Sequence, residues 1–149
     1  KLRLPIFGEL FKKIYLARFS ETLSTLSSAG IAISQSLEIT ADVVGNSVYR
    51  RIILEANESV RKGGNISSVF SRHKEILPMV TQMIAIGEQT GKIDTILKQV
   101  TIFFTEEINR VFDNIVTLIE PIMIVVLGVG VGILVAAILL PIYNLVNAF

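Results

Sequence analysis

Residues 122–140 read IMIVVLGVGVGILVAAILL, a run of apolar residues and glycines that lies between Pro121 and Pro141. A helix over this run is about 28 Å long, close to the roughly 30 Å hydrocarbon core of a bilayer. A core helix that is apolar on every face would be unusual in a chain of 149 residues. The run therefore predicts a transmembrane helix over residues 121–143, followed by a short tail over residues 144–149.

Charge is confined to the part of the chain before this run. The sequence has 14 Lys and Arg and 13 Asp and Glu, and Glu120 is the last charged residue. Basic residues collect on the cytoplasmic side of membrane segments, so we expect residues 1–120 to form a cytoplasmic domain. The net charge of +1 without a basic cluster argues against nucleic-acid binding. The lack of Cys excludes thiolate catalysis and Cys-ligated metals.

Residues 1–120 have the pattern of helices almost throughout. Apolar residues recur every three or four positions, as at Leu16, Phe19 and Leu23, and sustained two-residue alternation is absent. Glycines and a proline mark the helix ends, which predicts a first helix ending at Gly30, further helices over residues 33–44, 47–62, 67–71 and 78–89, and a sixth from residue 92. Short loops favour antiparallel neighbours. The sequence thus predicts an all-α antiparallel bundle of about six helices, the last continuing into the transmembrane helix.

Two glycines in the apolar run are spaced for helix packing. Gly128 and Gly132 form a GxxxG pattern, which lets the backbone of a neighbouring membrane helix approach closely. The functional interpretation is a transmembrane packing face. The alternative is that glycines are simply common in membrane helices.

No stretch of the sequence carries convincing catalytic or cofactor chemistry. Residues 87–92, GEQTGK, are similar to a phosphate-binding loop, but only three residues separate the glycines and Ile93 replaces the Ser or Thr that binds magnesium. A tight helix–turn–helix explains this stretch better. His73 is the only histidine and is expected to be a solvated loop residue. We therefore predict no catalytic, cofactor-binding or metal-binding residues.

Three acidic residues lie along one face of the predicted sixth helix. Glu106, Asp113 and Glu120 are seven residues apart, which is about 10 Å along a helix and too far for two of them to share one ion easily. The polar face of an amphipathic helix is the preferred interpretation, and whether a divalent cation binds there stays open.

Several segments together resemble the type II secretion protein F family, the inner-membrane platform proteins of type II secretion systems and type IV pili. Their order and spacing along nearly the whole chain make the resemblance specific. The matching segments are Leu4–Gly8, Ala17–Phe19, Leu26–Ile31 with Ser36 and Leu37, Gly87–Ile93, Glu120 with Pro121, and Leu140–Ile142.

The resemblance implies a longer protein with two similar cytoplasmic helical domains and three membrane spans in a bacterial or archaeal cytoplasmic (inner) membrane. This chain would be its second cytoplasmic domain and last span. The family implies a non-enzymatic role without a cofactor: coupling a cytoplasmic assembly ATPase to insertion of pilin or pseudopilin subunits. It also implies contact with other inner-membrane assembly proteins and the lipid bilayer, and homo-oligomer formation.

The resemblance also suggests roles for particular residues. Gly87, Glu88 and Gly91 would form the turn between helices five and six, and Glu120 and Pro121 the junction between bundle and membrane. Arg61 and Lys62 are candidate partner contacts, as are residues 72–74. The alternative function is a membrane-anchored helical signalling or scaffold subunit. Whether the chain serves a pilus or a secretion system is not decided by the sequence.

Overall fold

Every regular element that the structure describes is a helix. The structure, a computed structural model, describes the backbone of residues 5–146 and the side chains of residues 8–137 except residues 115, 118 and 120. The helices are α1 (Pro5–Ser28), α2 (Ile33–Val43), α3 (Ser47–Arg61), α4 (Ile66–Phe70), α5 (Pro78–Thr90) and α6 (Ile93–Val146). The all-helical prediction is confirmed for these residues. The predicted starts of α2, α3 and α5 coincide with the observed ones. The predicted ends of α2, α3 and α5, both ends of α4 and the start of α6 each differ from the observed ones by one residue.

The helix ends at α3 and α5 share one local geometry. Gly63 and Gly91 follow these helices with φ values of 81° and 68°, a left-handed conformation that glycine adopts without strain. The next residue in each case, Gly64 or Lys92, donates its N–H to the carbonyl oxygen five residues earlier, at 2.8 and 3.0 Å. This hydrogen bond reverses the chain within a few residues. As a result, α4 starts beside the end of α3, and α6 starts beside the end of α5.

Two pairs of hydrogen bonds fix helix directions in the first of two structural units, Lys1–Asn109. Ser24 Oγ donates to the carbonyl oxygen of Asp94, and Lys13 pairs with Glu107, so α1 and α6 are antiparallel within this unit. Side chains of α2 and α3 are joined in the same manner, through Ser34 with Asn57 at 2.7 Å and Asp42 with Arg50 at 3.0 Å. These helices are therefore antiparallel as well.

One apolar core lies inside this unit. Its largest fully buried side chains include Phe19 of α1, Phe70 of α4 and Phe104 of α6. The rings of Phe19 and Phe70 lie 5.3 Å apart between centroids. Leu97 and Phe103 of α6 both belong to a series of apolar residues spaced three or four apart, but Leu97 is fully buried and Phe103 is 41% exposed.

Tyr49, in the first turn of α3, gives this core a pH dependence. Its hydroxyl donates to the carbonyl oxygen of Glu75 at 3.1 Å. Burial, with smaller contributions from Glu75 and Tyr15, raises the pKa of Tyr49 from 10.0 to about 12. The folded state therefore holds this proton more tightly than the unfolded state, and the stability that results is present below pH 10 and is lost as the pH rises towards 12.

We expect Tyr49→Phe to remove this pH dependence. The free energy of unfolding, measured by denaturant titration at several pH values, should fall more steeply for the unmodified chain than for the variant, by about 2 kcal/mol across the alkaline window. Tyr15→Phe is the comparison, because it keeps the ring that packs 5.1 Å from the Tyr49 ring and removes only a minor contribution to the Tyr49 pKa, so this variant should keep most of the steep decline. Parallel pH curves for the unmodified chain and Tyr49→Phe would contradict this explanation.

The second structural unit is Arg110–Phe149, and α6 supplies its described residues. No helix among the described residues is both long enough and apolar enough to cross a membrane. The predicted span, residues 121–143, runs past residue 137, and its last side chains lie outside the described residues, as do those of the predicted tail over residues 144–149.

Candidate functional site

The last turn of α5 holds the start of α4 through Glu88. The Glu88 carboxylate accepts a hydrogen bond from the backbone N–H of Ile66 at 2.5 Å and from that of Ser67 at 3.2 Å. The same carboxylate accepts from the Ser67 hydroxyl at 2.5 Å. The first N–H groups of a helix have no partner inside the helix, and a negative charge near them is favourable. Glu88 thus acts as the cap of a helix that is distant from it in sequence.

The residue that would normally cap α4 does not do so. Asn65 occupies the N-cap position, but its side chain makes no capping hydrogen bond. By contrast, Asn46 caps α3, where its Oδ1 atom accepts from the N–H groups of Val48 at 2.9 Å and Tyr49 at 3.3 Å. Both asparagines occupy an N-cap position, but only the side chain of Asn46 caps its helix.

This difference makes a matched pair of substitutions informative. We expect Asn46→Ala to lower the free energy of unfolding by about 1 kcal/mol, because two N–H groups of α3 lose their acceptor. Asn65→Ala should change it by less than about 0.3 kcal/mol, because the cap of α4 is supplied elsewhere. Denaturant titration measures both values. Equal losses for the two variants would show that the cap of α4 has been assigned to the wrong residue.

Gly87 brings α5 and α6 into close contact. A Cβ atom placed on Gly87 would lie 3.0 Å from Cα of Ile93 and 3.3 Å from Cβ of Ile96. The nearest of these atoms belongs to the backbone and cannot rotate away. The absence of a side chain at residue 87 is therefore a condition for the position of α6 beside α5.

A groove of about 280 Å³ opens where these turns meet. It lies among the start of α2, the end of α3, the start of α4 and the turn from α5 to α6. Its lining residues are Ile33, Val60, Gly64, Asn65, Ile66, Gly87, Glu88, Gly91 and Ile93. The three predicted turn residues all line this groove, but only Gly91 follows α5, whereas Gly87 and Glu88 lie in the last turn of that helix.

The predicted partner contacts lie next to this groove in the chain. Arg61 is the last residue of α3 and Lys62 follows it, between the groove residues Val60 and Gly64. Both basic side chains are exposed. Lys62 Nζ is 3.5 Å from a carboxylate oxygen of Glu58, one helical turn away, and both of these side chains are more than half exposed. Such a surface pair stabilises the fold little.

The predicted membrane residues belong to the second unit. The backbone of Glu120 and Pro121 is helical, and the Glu120 side chain lies outside the described residues. No described atom lies within 4 Å of a Cβ placed on Gly128 or Gly132, apart from their own helix backbone and chain neighbours. The described part of the chain therefore leaves these two positions open, and the packing face stays a prediction.

His73 differs from its sequence interpretation. It was expected to be solvated, but its side chain is only 22% exposed and its Nε2 atom lies 2.9 Å from a carboxylate oxygen of Glu55. Arg72 approaches the same carboxylate at 3.7 Å. Among the residues described, no group of three or more acidic or histidine side chains is arranged to hold a metal ion.

The sequence did not reveal that Glu88 reaches α4. One signal was available, because Glu88 is the only charged residue in α5. A single carboxylate in an otherwise uncharged and largely apolar helix needs a partner when the helix packs. The partner itself could not be read from the sequence, since α4 precedes Glu88 by some twenty residues.

Comparison with known proteins shows the family to which this chain belongs. Residues 19–141 match the family model described as Type II secretion system (T2SS), protein F. The match covers most of the chain, so the chain belongs to the type II secretion system protein F family, and the resemblance found in the sequence is confirmed.

Individual relatives come from two kinds of machinery. The chain is 41% identical to the Type IV pilus assembly protein PilC of Thermus thermophilus over 148 residues, which is 99% of this chain and 36% of that protein. It is 35% identical to PilC of Myxococcus xanthus over 147 residues, 99% of this chain and 35% of the relative. The Type II secretion system protein F of Pseudomonas aeruginosa is 33% identical over 144 residues, 97% of this chain and 36% of the relative. The chain spans about a third of the length of these proteins.

Proposed function

We propose that this chain is part of a non-enzymatic inner-membrane platform protein of a type IV pilus or type II secretion machine. In this role the helical unit lies in the cytoplasm and meets an assembly ATPase. The protein then couples the motion of the ATPase to the insertion of pilin or pseudopilin subunits. Family membership supports a role in such a machine. The names of the relatives include both type IV pilus assembly and type II secretion proteins.

The observation that carries this proposal is the exposed apolar surface of α6. Ile122, Leu127 and Ile133 are 60%, 61% and 65% exposed, and no charged residue follows Glu120. A large exposed apolar surface marks contact with a membrane or another protein. We therefore propose that residues 121–143 form a transmembrane helix, with Glu120 and Pro121 at the cytoplasmic boundary.

The membrane orientation can be tested with single cysteines, because this chain contains none. We would introduce Lys98→Cys or Phe149→Cys into the full-length protein after replacing any cysteine elsewhere in it. In intact spheroplasts, a membrane-impermeant maleimide should label the cysteine at residue 149 and should label that at residue 98 only after lysis. Labelling of both sites before lysis would rule out the proposed orientation.

Gly128 and Gly132 are proposed to pack against another membrane helix, either another span of the same protein or one of a second protomer. We expect Gly128→Leu to disrupt this contact and to shift the detergent-solubilised protein towards smaller species in size-exclusion chromatography. Gly130→Leu is the matched control, because residue 130 lies on a different side of the helix from residues 128 and 132. Packing between protomers at this face would be wrong if both variants kept the same oligomers as the unmodified protein, and an unchanged melting temperature of Gly128→Leu would exclude packing against another span of the same protein.

Arg61 and Lys62 are proposed to contact the assembly ATPase. Deletion of the gene for the full-length protein should abolish pili or secretion, and the intact gene should restore them. A gene with Arg61→Glu and Lys62→Glu should restore them poorly although the protein reaches normal levels, whereas Lys12→Glu with Lys98→Glu should restore them fully. Normal assembly after deletion would favour the alternative, a membrane-anchored signalling or scaffold subunit.

A further inference from the structure

The groove between the ends of α3 and α5 combines an apolar wall with glycine backbone. Ile33, Val60 and Ile93 line it and are only partly buried, so each leaves some apolar surface accessible. Gly64 and Gly91 also line it and contribute no side chain. An incoming group can therefore reach the backbone at these positions while it covers apolar surface on either side.

The size of the groove suits a side chain better than a whole ligand. Its volume of about 280 Å³ lies just below the roughly 300–1,000 Å³ of pockets that enclose small molecules. Glu88 is its only charged lining residue, and the carboxylate is already engaged with the N–H groups of Ile66 and Ser67 and with the Ser67 hydroxyl. The groove thus offers apolar contact rather than a free charged group.

The rim of the groove is basic. The turns that border it, residues 62–65 and 91–92, contain Lys62 and Lys92 and no acidic residue. Arg61 immediately precedes the first of these turns, and all three basic side chains are exposed. Glu58 lies beside Lys62 and offsets part of this charge, so residues 58–65 and 91–92 together hold three basic side chains and one acidic side chain.

We propose that this groove receives an apolar side chain from an acidic segment of a partner protein. The apolar side chain covers Ile33, Val60 and Ile93, and carboxylates on either side of it meet Lys62 and Lys92. Charge complementarity of this kind selects the partner and speeds its approach, while the buried apolar anchor supplies most of the affinity. The inference rests on the proposed role of Arg61 and Lys62 as partner contacts and adds the pocket and the chemistry of the occupant.

Asn65 allows the groove to be filled without disturbing the fold. Asn65 is an exposed residue of the groove lining, its side chain makes no capping hydrogen bond, and its φ of −112° suits any residue. Asn65→Trp should therefore occupy the groove, whereas Asn65→Ala leaves it open. Lys62→Glu with Lys92→Glu reverses the charge of the rim and leaves the groove unfilled.

The test measures binding of a short fluorescein-labelled peptide, with one leucine flanked by glutamates, to the full-length protein in detergent by fluorescence anisotropy. We expect saturable binding that Asn65→Ala preserves and that Asn65→Trp and the double lysine variant each weaken at least about tenfold. A peptide with lysines in place of the glutamates, and one with glycine in place of the leucine, should bind at least about tenfold more weakly.

Absence of binding, equal binding of the lysine peptide, or full affinity after Asn65→Trp would each overturn the inference. If Asn65→Trp fails to fold, the double lysine variant and the control peptides decide the question. Pilus assembly or secretion, measured in cells that carry the same variants, separates this inference from the proposed function. Normal assembly with Asn65→Trp would dismiss the groove alone, whereas normal assembly after deletion of the whole gene would dismiss the platform role.

Discussion

Replacement of Gly87 by valine is expected to lower the free energy of unfolding by about 3 kcal/mol. The added Cβ atom alone would lie 3.0 Å from Cα of Ile93, and the two methyl groups need further space where α5 meets α6. A backbone atom cannot move aside as a flexible side chain can, so α6 would have to shift. Denaturant titration of the purified protein, followed by circular dichroism, measures the loss.

Gly8 provides the matched control for this substitution. It also lies inside a helix, α1, but no described atom lies within 4 Å of a Cβ placed on it, apart from its own helix backbone and chain neighbours. Gly8→Val should change the free energy of unfolding by less than about 0.5 kcal/mol. If the two variants were equally stable, the close contact between α5 and α6 at Gly87 would not exist in solution.

Glu88→Ala is expected to cost about 3 kcal/mol of folding free energy. The substitution leaves two backbone N–H groups and one hydroxyl at the start of α4 without an acceptor, and Ile66, one of the donors, is buried. Glu88→Gln keeps an acceptor oxygen but loses the charge, so about half of this loss is expected. Denaturant titration again gives the values, and hydrogen exchange at the amides of residues 66 and 67 should accelerate.

Glu58 is a suitable comparison for Glu88. Its carboxylate pairs with Lys62 at the surface, where it is 62% exposed. Removal of an exposed pair of this kind costs less than about 0.5 kcal/mol. If Glu58→Ala and Glu88→Ala had the same effect, the capping role of Glu88 would have to be abandoned.

Much of the fold could be predicted because its signals are local. Apolar spacing predicted α1, and the glycines at residues 30, 63 and 91 marked the helix ends where positive φ is observed. Pro78 marked the start of α5 because proline fits the first position of a helix. These features depend on residues within one or two turns of each other.

The features that could not be predicted from the sequence depend on contacts between residues that are far apart in the chain. Ser24 is buried and donates to the carbonyl oxygen of Asp94, although a serine carries no sign of burial in a periodic pattern. Phe103 is exposed although it fits the apolar period of α6. The capping of α4 by Glu88 and the groove beside it arise only when three turns meet. The periodicity of apolar residues indicates which face of a helix is apolar, but not which neighbouring helix covers each residue of that face.

The most direct test of the platform role is co-purification. The native full-length protein would be isolated from detergent-solubilised membranes, and the proteins that accompany it would be identified by mass spectrometry. If the platform role is right, a hexameric assembly ATPase should be recovered together with pilin or pseudopilin subunits, whose identity would also distinguish a pilus from a secretion system. Recovery of neither, with a kinase or an unrelated receptor in their place, would contradict the platform role.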